Sequence, residues 1–126
     1  MQAVAVVRKL NTGDKVLVDN EYGNFRDSSS ELFTQFIGML IDNSGPIFNA
    51  YRETNFAGAG NITYSGSHAN VGNGMTEKDG LFIAPVSGTY YLHFQGVSDH
   101  KSSRSIFTNI KLNGKTISSA NKHAVR

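Results

Sequence analysis

Turn-forming residues recur so often along this chain that no segment between them leaves room for an ordinary helix. Glycine alone accounts for 13 of 126 residues, and Asn, Asp and Ser punctuate most of the remaining apolar runs. Between these breaks lie short stretches of β-branched and aromatic residues with a two-residue alternation, which is the pattern of strands. The expected strands are residues 2–10, 15–19, 33–41, 47–52, 62–64, 68–71, 81–84, 89–98, 105–112 and 116–120. Asn113-Gly114 is a two-residue hairpin signal, because both positions of the tight turn need positive φ. Thr12-Gly13-Asp14 and Gly72-Asn73-Gly74 read as further turns, and residues 20–31 and 77–80 as polar loops. Pro85, which has no backbone N–H to give a ladder, marks a corner with Ser87-Gly88. No 3.6-residue period persists, so the expected fold is all-β, a sandwich or closed roll.

The strands are of two kinds. In residues 105–112, Ile106, Thr108, Ile110 and Leu112 alternate with Phe107, Asn109 and Lys111, which suits a sheet with one wet face. The runs at residues 3–7, 36–41 and 90–97 carry apolar or aromatic groups on both alternating faces. A strand with one side in water does not normally place Ile37, Met39 and Ile41 there. Such a sheet is expected to be covered twice, by the second sheet and by another subunit. Cover by loops of the same chain is the alternative.

Composition removes several classes of function. The formal charge is +2 with scattered basic residues, and Arg8-Lys9 is followed closely by Asp14 and Asp19, so no nucleic-acid surface is expected. No apolar run approaches the roughly 18–20 residues of a membrane span. The first residues lack the layout of a secretion signal. Cysteine is absent, which removes disulfides, thiolate nucleophiles and cysteine metal sites. The length suits one domain.

The stretch Asn70-Val71-Gly72-Asn73-Gly74, followed by Gly80-Leu81-Phe82-Ile83-Ala84-Pro85-Val86-Ser87-Gly88-Thr89-Tyr90-Tyr91-Leu92-His93-Phe94, resembles the signature of the complement C1q globular-head domain. Ile47-Phe48-Asn49-Ala50-Tyr51-Arg52 is similar to that family's opening strand, and Lys111-Leu112-Asn113-Gly114-Lys115 to its central hairpin. Residues 10–18 and 33–41 are similar to its closing third. Met75-Thr76-Glu77-Lys78 departs from the family's aromatic–acidic–proline pattern.

The order of these blocks also departs from the family. Its closing segment comes first here, so the chain reads as an engineered circular permutant: residues 1–41 hold the family's C-terminal strands, 42–45 a linker, and 46–126 its N-terminal strands. A frame cut from a tandem array is the alternative origin. The resemblance implies a single ten-stranded jelly roll of the C1q/TNF-like type. It also implies an extracellular, homotrimeric, non-enzymatic recognition head for protein or glycan ligands. A purely structural trimerisation domain and a lectin-like module remain alternatives. The trimer interface is then expected at Val4, Val6, Ile37, Met39, Ile41, Tyr91 and His93.

No catalytic constellation stands out. His68, His93, His100 and His123 lack metal-ligand spacing, and Ser98, Asp99 and His100 are too close in sequence to converge as a triad. Some family members hold calcium through loop carboxylates, which makes Asp19, Glu21 and Asp27 the candidate set, against a plain reading as solvated loop carboxylates. Their spacing matches no dedicated calcium loop. Tyr22, Phe25, Arg26, Tyr51, Arg52 and Tyr64 are the candidate ligand contacts, since aromatic and Arg side chains dominate binding energies.

Overall fold

A computed structural model of the chain describes residues 2–41, 45–97 and 106–122. Strands dominate: β1 (Gln2–Leu10), β2 (Lys15–Tyr22), β3 (Asn24–Phe25), β4 (Gln35–Leu40), β5 (Ile47–Tyr51), β6 (Phe56–Ala57) and β7 (Gly60–Asn61). They are followed by β8 (Gly66–Val71), β9 (Met75–Thr76), β10 (Leu81–Ile83), β11 (Gly88–Gly96), β12 (Ile106–Leu112) and β13 (Lys115–Lys122). One 3-10 turn, Glu77–Asp79, lies where the sequence suggested a charged loop, and it ends on Gly80 in the left-handed region.

Two antiparallel sheets hold these strands. One runs β1-β11-β4-β5-β8; the other runs β13-β12-β2-β10-β9, with β7 also paired to β2. A small β3–β6 ladder stands apart. The chain changes sheet between β1 and β2, between β2 and β4, between β5 and β7, between β7 and β8, between β8 and β9, between β10 and β11, and between β11 and β12. The β12–β13 connection is the tight hairpin that Asn113-Gly114 predicted, with φ of 49° and 85° at the two positions.

Alternation decides which side chains meet between the sheets. Tyr90, Leu92 and Phe94 of β11 point inward with Phe36 of β4 and Phe48 and Ala50 of β5. Val16 and Val18 of β2, Phe82 of β10, and Ile106 and Ile110 of β12 join them in one core cluster. Aromatic contacts knit the layers: Phe48 stacks on Phe82, and Phe82 meets the Tyr90 ring edge-on. Burying such side chains is the main favourable term in folding, about 1.5–3 kcal/mol for each large one. Thr108 and Asn20 are paired within this core. The Thr108 hydroxyl donates to Asn20 Oδ1 (3.0 Å), and Asn20 Nδ2 donates to the Gly23 and Gly58 carbonyls.

The edge strands β1 and β13, one from each sheet, meet at the seam between the layers. Gln2 Nε2 donates to the Ala120 carbonyl (2.8 Å), and the Ser118 hydroxyl donates to the Ala5 carbonyl (3.2 Å).

Several strand limits shift. Residues 62–64, expected as a strand, run outside the ladders after the two-residue β7. β2 continues to Tyr22, through what was expected to be loop, because its far end pairs with β12. The linker positions 42–44, the polar stretch 98–105 and the segment 123–126 lie outside the described residues, and with them Ser98, Asp99, His100 and His123.

Candidate functional site

The outer face of the five-stranded sheet gathers most of the large apolar residues left exposed by the core. Strand register places them in rows. Val7, Tyr91, Met39, Ile47 and Val71 stand side by side across all five strands. Ala5, His93, Ile37, Asn49 and Ala69 form the next row, and Ala3, Gln95, Gln35 and Tyr51 the one beyond. Val7 is 58% exposed, Val71 57% and Met39 38%, with Ile41 at 52% just past the end of β4. Isolated exposed apolar residues are ordinary; here they line up as one strip across the sheet.

His93 sits within this face. Its Nδ1 lies 3.3 Å from the Tyr91 hydroxyl and its Nε2 lies 3.1 Å from Gln95 Oε1. A neutral imidazole has one donor and one acceptor, so the Tyr91 hydroxyl donating to Nδ1 and Nε2–H donating to Gln95 satisfies both nitrogens. At the far edge Tyr51 and His68 pack ring on ring, with centroids 4.5 Å apart.

The interface residues expected from the sequence divide between two faces. Ile37, Met39, Ile41, Tyr91 and His93 do share the outer side. Val4 and Val6 do not. Val4 is 5% exposed and stands opposite Phe94, while Val6 stands opposite Leu92 and packs on the core. Ala3, Ala5 and Val7 take their place outside. Leu10 carried the missed signal: it shares the parity of Val4 and Val6, and a large apolar residue beside a turn belongs to the core face.

The ligand-contact set is also corrected. Phe25 is fully buried, edge-on to Phe94, and Tyr64 is buried near Phe36, so neither presents a surface. Burial holds the Tyr64 phenol well above the usual tyrosine range. Among the described residues its hydroxyl has no hydrogen-bond partner. Arg52 has an internal task. It donates to the carbonyls of Thr54 (3.1 Å), Asn55 (3.0 Å) and Thr63 (2.7 Å), and its guanidinium lies over the Phe56 ring. Tyr22 is exposed and meets Phe107 edge-on. Arg26 lies over the Phe33 ring, and Tyr51 belongs to the outer sheet face.

The three candidate calcium carboxylates are not brought together. Asp19 pairs with Lys111 (3.6 Å), and Glu21 accepts from Asn109 Nδ2 (3.1 Å). Asp27 is buried and accepts from both the backbone N–H and the hydroxyl of Thr34. Burial pushes the Asp27 carboxyl above its usual value, although the Thr34 hydrogen bonds and the nearby Arg52 charge pull the other way. Among the described residues no group of three His, Cys, Asp or Glu side chains is placed to hold a metal ion.

Compared with known protein families, curated proteins and solved structures, the chain matches none of them. Among the described residues no helix is long and apolar enough to cross a membrane.

Proposed function

We propose that this chain is a non-enzymatic, extracellular recognition and trimerisation module of the C1q globular-head type, built on a jelly roll whose strand order is circularly permuted. The observation that carries this reading is the apolar row Val7–Tyr91–Met39–Ile47–Val71 on the side of the sheet away from the core. A face of this kind is stable in water when a partner covers it. Another copy of the same chain fits, because the described residues of the face include no carboxylate and only one permanent cation, Lys9, at its margin. Covering the face therefore desolvates little charge.

Two features support the permuted jelly roll. The connections alternate between the sheets as in double-sheet rolls. Strands β4 and β5, which resemble the family's last and first strands, are antiparallel neighbours, with Met39 opposite Ile47. Positions at the end of the rigid scaffold then carry ligand recognition, with Tyr22 at the end of β2 and Arg26 just past β3 the candidates that remain near the surface.

Sedimentation of the wild type and of Met39→Asp at micromolar concentration tests the assembly. A trimer that falls to monomer in Met39→Asp is the expected result. A wild-type monomer across that range overturns the reading. A glycan and protein array probed with the trimer then tests recognition: selective binding is expected, and silence leaves trimerisation as the whole function.

A further inference from the structure

We infer that His93 makes this assembly sensitive to acid, holding the copies together when its imidazole is neutral and releasing them when it is charged. The inference rests on the self-assembly reading above and adds its regulation.

Histidine changes charge between about pH 5 and 8. In its neutral form His93 has both ring nitrogens satisfied within its own strand, by Tyr91 and Gln95. It therefore asks nothing of a neighbouring copy. Charging the ring turns Nδ1 into a donor facing the Tyr91 hydroxyl, which must then rotate to accept, and adds a positive charge to be stabilised.

No carboxylate among the described residues of the face supplies that stabilisation. The direct register partners of His93 are Ala5 and Ile37. β1 contributes Ala3, Ala5, Val7 and Lys9; β4 contributes Gln35, Ile37 and Met39; β5 contributes Ile47, Asn49 and Tyr51. β8 contributes Ala69 and Val71, with His68 beside Tyr51. Among the described residues the other titratable groups are thus Tyr91, Tyr51, His68 and Lys9, and none is a carboxylate. In the free chain His93 is only partly buried, and water reaches the added charge. Where the assembly sets His93 against a neighbouring copy that offers it no carboxylate, the charge is desolvated and unpaired, which is strongly unfavourable. Protonation therefore favours the separated chains. Assembly releases protons and weakens as pH falls.

Sedimentation velocity at about pH 7.5 and about pH 5.5, on either side of the histidine range, tests this. The wild type should be assembled at the higher pH, with its apparent association constant falling at least roughly tenfold at the lower, the equivalent of one pH unit of linked protonation. His93→Gln should assemble equally at both, and His68→Gln should behave as wild type. Ala5→Asp sets a carboxylate beside His93 and should reverse the trend, assembling better in acid than at neutral pH. Near-UV circular dichroism of the tyrosines confirms that each variant is folded. Equal wild-type assembly at both pH values overturns the switch while leaving self-assembly intact. So does acid dissociation that persists in His93→Gln, or an Ala5→Asp chain that still falls apart in acid. A wild-type monomer at both pH values overturns the assembly and the switch together.

Discussion

The rings of Phe48 and Phe82 stack with centroids 4.5 Å apart and planes 30° from parallel, one ring from each sheet. Phe36 meets Phe48 edge-on on one side and Tyr90 meets Phe82 on the other. The centre of the core is this run of four rings, so the sheets are joined through it. Phe82→Ala removes a fully buried ring from the middle of the run and should destabilise the fold by about 3–5 kcal/mol. Urea unfolding followed by far-UV circular dichroism checks it.

Gly38 stands opposite Phe48 in the β4–β5 ladder, and a Cβ at this position would run into the Phe48 ring. Its backbone is ordinary strand, so the constraint is one of space. Gly38→Ala should cost about 1–3 kcal/mol by overpacking. Shortening the obstacle in the Gly38→Ala/Phe48→Leu double variant should recover part of that cost. A double-mutant cycle in urea reads the coupling, and purely additive losses would show that the ring and the glycine act independently.

Arg52 gathers the carbonyls of Thr54, Asn55 and Thr63 with a planar fork of donors. A lysine has the charge without the fork. Arg52→Lys should lower stability by about 1–3 kcal/mol, as expected where charged hydrogen bonds to partly buried carbonyls are lost. Thermal unfolding at neutral pH measures it.

Asp27 sets an unusual acid dependence. Its folded carboxyl holds a proton more tightly than the ordinary value of 3.8, mainly because it is buried. The stability this contributes is present below the unfolded value and is lost as pH rises through the folded one. Wild type should therefore gain stability relative to Asp27→Asn as pH falls from neutral toward that unfolded value. Asp14 has the opposite sign, its carboxyl lowered by the Asn11 backbone N–H and by Asn113. Urea midpoints of wild type, Asp27→Asn and Asp14→Asn over a pH series separate the two slopes.

The separation of Asp19, Glu21 and Asp27 sets an expectation for calcium. Each carboxylate already has a partner in Lys111, Asn109 or Thr34. Calcium needs six to eight oxygens converging on one point. Adding millimolar calcium or a chelator should therefore leave the thermal midpoint of the described fold unchanged. A rise with calcium that the chelator reverses would require a site built with residues beyond these.

Much of the architecture is already written in local chemistry. β1 is bounded in the structure as the sequence bounds it, because the turn at Thr12-Gly13-Asp14 stops it and nine alternating residues fill it. The Asn113-Gly114 hairpin is fixed by two residues that accept positive φ. The excess apolar residues of β4 and β11 mark, before any contact is known, an outer face that the core leaves unused. The candidate site was less legible. Phe25, Tyr64 and Arg52 have the side chains of a binding surface, but the first two are core and the third ties a loop, and only burial and partners distinguish these roles.

The sequence by itself determined the period, the turns and the surplus of apolar side chains, because these depend on neighbours a few positions away and on backbone sterics. Only the tertiary structure decided which parity of β1 faces the core, that Val7, Met39, Ile47 and Val71 align with Tyr91 in one row, and that Asp27 binds Thr34 instead of standing with Asp19. Those outcomes depend on register between strands distant along the chain. Shifting a register by one residue turns every side chain of that strand to the opposite face.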